Sequence, residues 1–422
     1  MSLLLGAVAD DFTGATDLCN TLVRRGMRTV QLIDVPPPGT PVPQADAVVI
    51  ALKSRTVPAP DAIRMSLKAL AWLREAAARQ FLFKYCSTFD STPEGNIGPV
   101  AEAMLDTLDG DFTIFCPAFP ENARTIFKGY LFVGDVLLSE SGMRDHPLTP
   151  MRDPSLVRVL QAQSKGKVGL VQHAAVGRGP AAIREAFAIL RRDGCRHAIV
   201  DAVAEDDLAA IGEACADLPL ITGGSGIALG LPENFRRAGL LGAGGGADTL
   251  PPVAGPAAVL SGSCSVATRA QVAHMSERAP VFTIDPLGHD VAAAALAWAA
   301  DRLGPAPILI SATAPPEQVA AIQEKLGRDE AGARVEHIMA DVARGLAERG
   351  VRRLVVAGGE TAGAVVQALG VTGLRIGRQI DPGVPWTTSL DEKPIALALK
   401  SGNFGAPDFF MRAFTVLDEV TR

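Results

Sequence analysis

Short apolar runs alternate with segments of helical periodicity along most of the chain, and this rhythm constrains the fold more than any other feature. Amphipathic stretches such as residues 59–79 and 180–192 separate most of the apolar runs. Parallel strands need helical crossovers of this length, so the alternation predicts an α/β fold with a mainly parallel sheet flanked by helices. The candidate strands of the first half are residues 3–9, 29–33, 47–52, 81–85, 112–115, 168–172 and 197–200.

The chain has 422 residues, more than a domain with a single hydrophobic core usually contains, so we expect two domains. Between residues 241 and 256, Gly and Pro displace any periodicity, as in a linker. We therefore expect a first domain over residues 1–240, a linker over 241–256 and a second domain over 257–422. Each would carry a mainly parallel sheet flanked by helices, with the active site in the interdomain cleft. The second-domain candidate strands are residues 257–260, 308–311, 354–357 and 395–399.

The linker also contains Gly242, Gly244 and Ala247, which formally fit the GxGxxA dinucleotide pattern. No clear strand precedes them, and Pro251-Pro252 would block a following helix, so we interpret these glycines as a hinge.

Composition excludes several classes of partner. A net charge of −6 argues against general nucleic-acid affinity. The six cysteines form no CxxC pair and have no zinc-type His spacing around them, which predicts a reduced, cytoplasmic protein. No segment reads as a signal peptide, and the longest apolar helix-like run, residues 291–300, is far shorter than the roughly 20 residues of a membrane span.

Two adjacent carboxylates, Asp10 and Asp11, end the first apolar run and precede a helix that extends to Gly26. Open α/β sheets bind ligands at such strand ends. The pair could hold substrate hydroxyls, bind Mg²⁺ or take a proton from an attacking hydroxyl, and Asp17 could support it. Helix capping is the alternative, and it explains one Asp better than the cluster.

A second polar block follows another candidate strand and contains Lys84, Asp90 and Ser91. The lysine could neutralise a substrate carboxylate, and Asp90 and Ser91 could bind hydroxyls. Arg55 follows a third strand and could bind a carboxylate with two parallel hydrogen bonds. An ordinary capped loop with solvated basic residues remains the alternative.

Three Gly- or Ser-rich loops follow apolar runs of the second domain, at residues 261–265, 358–361 and 401–405. The middle loop starts a helix over residues 362–369, whose first N–H groups could face a phosphate. Together the loops favour nucleotide binding, and the absence of GxxxxGK[ST] excludes a P-loop. A similar loop at residues 223–226 is interpreted as structural because no charged group accompanies it.

These motifs resemble the four-carbon acid sugar kinases over almost the whole chain. The resemblance rests on residues 9–17, 84–98, 116–120, 146–151, 358–361 and 400–405. It implies a sugar-acid-binding first domain, a nucleotide-binding second domain and transfer of the ATP γ-phosphoryl group, with Mg²⁺, to the C4 hydroxyl of a four-carbon acid. Residues 382–386 and 401–405 look like the subgroup acting on 3-oxo acids, while threonate and erythronate stay open alternatives.

The resemblance also assigns residues to the two substrates. The sugar acid would meet Asp10, Asp11, Arg55, Lys84, Asp90 and Ser91. ATP would meet Ser261, Ser263, Gly358, Gly359, Glu360, Thr361, Gly402, Asn403 and Gly405. For the catalytic carboxylate we expect Asp11, with Asp10 and Asp90 as substitutes.

Two rival classes remain. A nicotinamide-dependent dehydrogenase also uses Gly-rich turns after parallel strands, but the sequence lacks a GxGxxG in the right context. A sugar-acid sensor could keep a kinase-like fold without turnover. We further expect the partners to be small molecules rather than nucleic acid or a membrane. We also expect the domains to close on binding. A homodimer is left open.

Overall fold

The computed structural model describes residues 3–90, 92–145, 149–242 and 245–420. The chain divides into two compact units, Met1–Ala247 and Asp248–Arg422. Leu250, in the segment predicted as linker, is buried with the hydrophobic core of the second unit. The expectation of an α/β fold in two domains is confirmed.

The first unit alternates strands and helices, and adds 3₁₀ turns at Pro120–Asn122, Leu138–Glu140 and Ser225–Leu229. Its strands are β1 (Leu5–Ala9), β2 (Thr29–Ile33), β3 (Ala47–Ala51), β4 (Gln80–Lys84), β5 (Thr113–Cys116), β6 (Arg124–Phe127), β7 (Tyr130–Val133), β8 (Val136–Leu137), β9 (Lys167–Val171), β10 (Cys195–Val200) and β11 (Leu220–Gly223). Its helices are α1 (Phe12–Arg24), α2 (Ala59–Glu75), α3 (Ile97–Thr107), α4 (Leu156–Gln163), α5 (His173–Val176), α6 (Pro180–Arg192), α7 (Glu205–Ala214) and α8 (Leu231–Arg237).

The main sheet of this unit has the order β2-β3-β1-β4-β11-β5-β10-β9 and is parallel throughout. Strands β1, β3 and β4 are buried along their whole length, as expected for a sheet covered on both faces. Their register aligns Ala9 with Ala51 on one side and with Lys84 on the other. The loops that follow these three strands therefore leave the sheet side by side.

The second unit follows the same plan, with a parallel sheet extended by two antiparallel strands. Its strands are β12 (Ala257–Ser261), β13 (Val281–Thr283), β14 (Ile308–Ser311), β15 (Arg353–Ala357), β16 (Gly373–Asp381), β17 (Val384–Ser389) and β18 (Ala396–Lys400), in the order β13-β14-β12-β15-β18-β17-β16. Its helices are α9 (Val266–Ser276), α10 (Val291–Ala300), α11 (Pro316–Leu326), α12 (Arg328–Glu348), α13 (Gly359–Ala368) and α14 (Phe409–Val420).

The aromatic side chains of α14 anchor the core of this second unit. Phe410 is buried, and Phe414 packs against the indole of Trp386 on β17. The indole N–H donates to the Ala413 carbonyl over 2.7 Å, which satisfies the polar atom of a buried ring.

Two predicted boundaries differ from the structure. Helix α2 ends at Glu75 rather than residue 79, because Ala77 takes a left-handed conformation with φ of 57°. Helix α13 begins at Gly359 rather than residue 362, so Glu360 and Thr361 belong to its first turn.

Several strands escaped prediction. The antiparallel sheet β6-β7-β8 and the hairpin β16-β17 were not recognised in the sequence. These strands are antiparallel and joined by short turns, so no helical segment separates them in the sequence.

Candidate active site

The strand order of the first unit reverses between β1 and β4. The chain leaves β1 towards β2 on one side, whereas it leaves β4 towards β5 on the other. Such a reversal opens a crevice outside the carboxyl ends of the strands, where α/β sheets bind their ligands. The polar residues predicted from sequence follow β1, β3 and β4, at this crevice.

Three of these residues form a partly buried ion cluster. Arg55 Nε donates to Asp10 Oδ2 over 2.9 Å, and Arg55 Nη2 donates to Asp10 Oδ1 over 2.8 Å. The same Nη2 donates to Asp11 Oδ1 over 2.6 Å. The guanidinium thus holds both carboxylates, and the exposed fractions of the side chains are 23% for Arg55, 5% for Asp10 and 24% for Asp11.

The two carboxylates differ in their electrostatics. Burial raises the pKa of Asp10 even though Arg55 opposes the rise. Burial acts on Asp11 as well, but Arg55 and Lys84 together overcome it and hold the pKa of Asp11 below its ordinary value. Asp11 is therefore ionised at neutral pH and is the more accessible of the pair.

Asp11 has a structural task too. It caps α1, accepting from the Gly14 N–H over 3.1 Å and from Thr13 Oγ1 over 2.8 Å. A side chain at Gly14 would collide with Asp11 Oδ1 and with the ammonium of Lys84, so this glycine lets the lysine pack against the first turn of α1. Capping explains part of the acidic cluster, but it does not explain Asp10.

The loop at residues 223–226, interpreted as structural because no charged group accompanies it in the sequence, has charged residues from other segments beside it. Gly223 is the register partner of Lys84 and its carbonyl accepts from the Tyr85 N–H. Burial raises the pKa of Asp17, while Lys84 and the Ser225 side chain oppose that rise. The loop therefore borders the charged cluster.

Asp90 lies on the loop after β4, where the Thr88 hydroxyl donates to its carboxylate. The neighbouring Cys86 has its pKa raised to about 11 by burial and by Asp90, against the opposing charges of Arg55 and Lys84. Asp90, Arg55 and Lys84 all lie close enough to this thiol to act on it, so the Asp90 loop lies beside the ion cluster. Ser91 lies outside the described residues.

Asn96 was missed as a candidate although it lies within the block that pointed to Lys84. Its side-chain amide is buried and donates to the carbonyls of Ser54, Arg55 and Val57 over 2.9, 3.2 and 3.0 Å. It therefore holds the backbone of the Arg55 loop. Its position just before α3 offered only a helix-cap signal, and it makes no side-chain cap hydrogen bond.

In the second unit the strand order reverses between β12 and β15, and the three predicted loops meet there. A side chain at Gly262 would collide with the Thr361 hydroxyl, and one at Gly358 would lie 2.9 Å from it. A side chain at Gly402 would lie 2.6 Å from Ser263 Oγ. Glycine at positions 262 and 402 therefore lets the backbone lie against a hydroxyl of a neighbouring loop.

Side-chain hydroxyls extend this arrangement. Ser261 Oγ lies 2.7 Å from Thr313 Oγ1, and Thr313 donates to the Ser263 carbonyl over 2.9 Å. Thr313 was not predicted, because it follows β14 without a recognisable motif. Gly359 and Glu360 are exposed at the N-terminal turn of α13, whose free N–H groups and dipole favour an anion.

Further residues hold the 401–405 loop. Gln271 donates through its amide to the carbonyls of Phe404, Gly405 and Ala406 over 3.0, 2.9 and 3.1 Å. Asn403 is exposed on the same loop. Sequence analysis missed Gln271, since a glutamine within an amphipathic helix carries no distinctive signal.

A cavity of about 480 Å³ opens beside these loops within the second unit. Its lining combines Gly262 and Glu360 of the loops with apolar side chains such as Val319 and Ile322. A mixed lining and a volume of this size suit a small organic ligand with polar and apolar groups.

Among the residues that the structure describes, no helix is long and apolar enough to cross a membrane.

Comparison with known proteins matches two family models to the chain. Residues 5–231 match a sugar-binding N-terminal domain, and residues 258–410 match a nucleotide-binding C-terminal domain. The two models correspond to the two units and to their separate clusters of polar loops.

Curated relatives match over nearly the full length. The 3-oxo-tetronate kinase of Cupriavidus necator is 64% identical over 421 residues, covering 98% of this chain and 97% of its own. That of Burkholderia multivorans is 61% identical, with coverage of 98% and 97%. A crystal structure from Salmonella typhimurium LT2, described provisionally as a tRNA synthase, superposes with a TM-score of 0.91 at 47% identity, covering 97% of this chain and 98% of its own.

Proposed function

Since this chain belongs to the family of the curated 3-oxo-tetronate kinases, we propose that it transfers the γ-phosphoryl group of ATP to the C4 hydroxyl of a four-carbon acid sugar. We propose 3-oxo-tetronate as the acid, with threonate and erythronate as the alternatives. The observation that carries the proposal is the convergence of three glycine loops within a nucleotide-binding domain, in a chain whose sugar-binding domain presents paired carboxylates.

The first unit would bind the acid. Lys84, with its buried side chain and its ammonium against α1, would attract the substrate carboxylate. Arg55 would act mainly by holding Asp10 and Asp11 in place, since two of its nitrogens already donate to them. Asp90 and Ser91 would complete the hydroxyl contacts.

Among the carboxylates, Asp11 is our candidate for orienting the attacking C4 hydroxyl. It is more exposed than Asp10, and its lowered pKa keeps it ionised as a hydrogen-bond acceptor. A weakly basic carboxylate is sufficient, because phosphoryl transfer through a loose transition state needs positioning and charge neutralisation more than early proton removal. Asp10 and Asp90 stay as substitutes.

The second unit would bind ATP through its loops. Backbone N–H groups at Gly359 and Glu360, and at Gly402, Asn403 and Gly405, would face the phosphates. The hydroxyls of Ser261, Ser263 and Thr361 lie where the three glycines approach one another. The apolar side chains that line the cavity would contact the adenine.

Mg²⁺ stays a prediction. Among the described residues, no group of three or more His, Cys, Asp or Glu side chains gathers into a metal site. We expect the ion to arrive with ATP, held by phosphate oxygens, water and at most one or two carboxylates, with Glu360 at the cavity as the first candidate. Titrating Mg²⁺ at fixed ATP, with excess chelator as the reference, tests this expectation.

The decisive experiment is an ADP-release assay coupled to a spectroscopic readout, run over 3-oxo-tetronate, threonate and erythronate. We expect the highest kcat/KM with the 3-oxo acid and a 4-phosphate product identifiable by NMR. Binding of the acids without ADP release would support a sensor instead. Thermal protection by NAD but not by ATP would support a dehydrogenase.

Other expectations stay predictions. Transfer requires the two bound substrates to meet, so we still expect an active site between the domains and closure on binding. Solution scattering with and without both ligands tests closure. The cytoplasmic location and a homodimer also stay untested.

A further inference from the structure

Lys400, the last residue of β18, has a side chain with 0% exposure. Its ammonium donates to Thr268 Oγ1 over 3.0 Å, to the Ser401 carbonyl over 3.0 Å and to the Gly402 carbonyl over 2.8 Å. An ammonium has three N–H donors, and these three acceptors, all neutral, use them all. The ammonium therefore lies directly beneath the 401–405 loop.

The Gly402 carbonyl receives two further donors. Ser265 Oγ donates to it over 2.6 Å and Thr268 Oγ1 over 2.8 Å. Both hydroxyls come from the first turn of α9, where Ser265 is also the helix cap. Three side chains thus converge on one carbonyl oxygen and fix the orientation of the Gly402–Asn403 peptide.

Planarity of the peptide extends this consequence to the next residue. In a trans peptide the C=O and the following N–H point in opposite directions. Because the Gly402 carbonyl points inward to Lys400, the Asn403 N–H points outward. Asn403 is exposed, so a ligand outside the loop can approach this residue.

Burial of Lys400 costs free energy that the fold does not require. A charged amine out of water, with only neutral partners, is expensive, and burial lowers the pKa of Lys400 to about 8. Methionine would fill the same space without that cost. A role in the loop, rather than in stability, accounts for the lysine.

We propose that Lys400 is a positioning residue for the nucleotide, fixing the Gly402–Asn403 peptide so that the Asn403 N–H faces a phosphate of ATP. Lys400 does not touch the nucleotide and acts through the loop. The inference rests on the proposed function, because it takes ATP to be the ligand of these loops.

The test uses the full-length Lys400→Met variant and measures ATP affinity, both KM values and thermal stability. We expect the Kd and KM for ATP to rise about tenfold or more, since a charge-assisted hydrogen bond is lost. The KM for the acid should stay within about twofold, and Tm should be unchanged or higher. The matched control is Lys393→Met, which removes an exposed lysine of the same domain and should behave as the wild type.

A second pair of variants keeps the proposal falsifiable if Lys400→Met does not fold. Thr268→Val removes the hydroxyl that joins Lys400 to Gly402, whereas Thr268→Ser retains it. The valine variant should bind ATP more weakly than the serine variant. Equal ATP affinity in the two would overturn the proposal.

Two further outcomes are decisive. A Lys400→Met protein with lower Tm and wild-type ATP affinity would make the lysine structural and overturn the inference while the kinase stands. A wild type that binds ATP but phosphorylates no four-carbon acid would refute the proposed function and leave the Lys400 inference to be decided by ATP binding alone. A wild type that binds no ATP would overturn both.

Discussion

Arg55→Met removes the cation that holds Asp10 and Asp11 together. Methionine keeps the apolar stem but leaves two carboxylates, with exposed fractions of 5% and 24%, facing each other. Removing one partner of a buried ion pair costs ~3–5 kcal/mol, because the remaining charge is uncompensated. We expect about 3 kcal/mol, at the lower end, since Lys84 still acts on both carboxylates.

The effect should depend on pH. Without Arg55, the pKa of Asp10, already above the value of 3.8 in the unfolded chain, rises further, and that of Asp11 rises from below this value. Between the pKa of a carboxyl in the unfolded chain and its raised pKa in the folded variant, the folded variant binds more protons than the unfolded chain. Its stability therefore falls as pH rises through this range. The deficit relative to wild type should therefore be small near pH 4 to 5 and largest at neutral pH.

Thermal unfolding of the variant and wild type at pH 5 and pH 8 measures this difference. For a unit of this size, about 3 kcal/mol corresponds to a Tm lowered by roughly 6–12 °C. Arg64→Met is the matched control, because Arg64 pairs with Asp61 at the surface, where such a pair contributes about 0–1 kcal/mol. A deficit equal at both pH values, or larger at pH 5, would refute the reasoning.

Three further predictions concern the loops and carboxylates of the two units. Gly402→Ala should raise the KM for ATP about tenfold or more, because its methyl would lie 2.6 Å from Ser263 Oγ. Gly363→Ala, where no atom lies within 4 Å, is its control and should leave both KM values unchanged. Asp11→Asn keeps a helix cap but should lower kcat about 100-fold; an unaltered kcat with a raised KM for the acid would make Asp11 a binding residue. Asn96→Ala removes the amide that holds the β3 loop and should lower the unfolding free energy by about 2 kcal/mol and raise the KM for the acid; unchanged values in calorimetry and kinetics would contradict this.

Local pattern was sufficient for most of the fold. Strands such as Thr29–Ile33 and Ile308–Ser311 were predicted at their observed bounds, because a buried strand between helical segments forms a recognisable run of apolar residues in the sequence. The hairpin of Gly373–Asp381 with Val384–Ser389 was not predicted, since no helical segment separates its strands and they are defined by pairing with each other.

The acidic pair Asp10-Asp11 and the loop glycines stood out in the sequence because they directly follow apolar runs. The pairing of Arg55 with these carboxylates was not predicted. Arg55 was expected to bind substrate, yet it lies 45 residues from Asp10 in sequence and donates two hydrogen bonds to it.

The α/β alternation and the loops that follow the strands can be predicted from the chain, because periodicity and strand ends are properties of neighbouring residues. Which of these loops meet depends on how the strands pair in the folded protein. Strand order puts β1 between β3 and β4, and so joins Arg55 to Asp10 and Asp11. Likewise, Lys400 and Thr268 are 132 residues apart in sequence, and they form a hydrogen bond only because sheet pairing and helix packing bring them together.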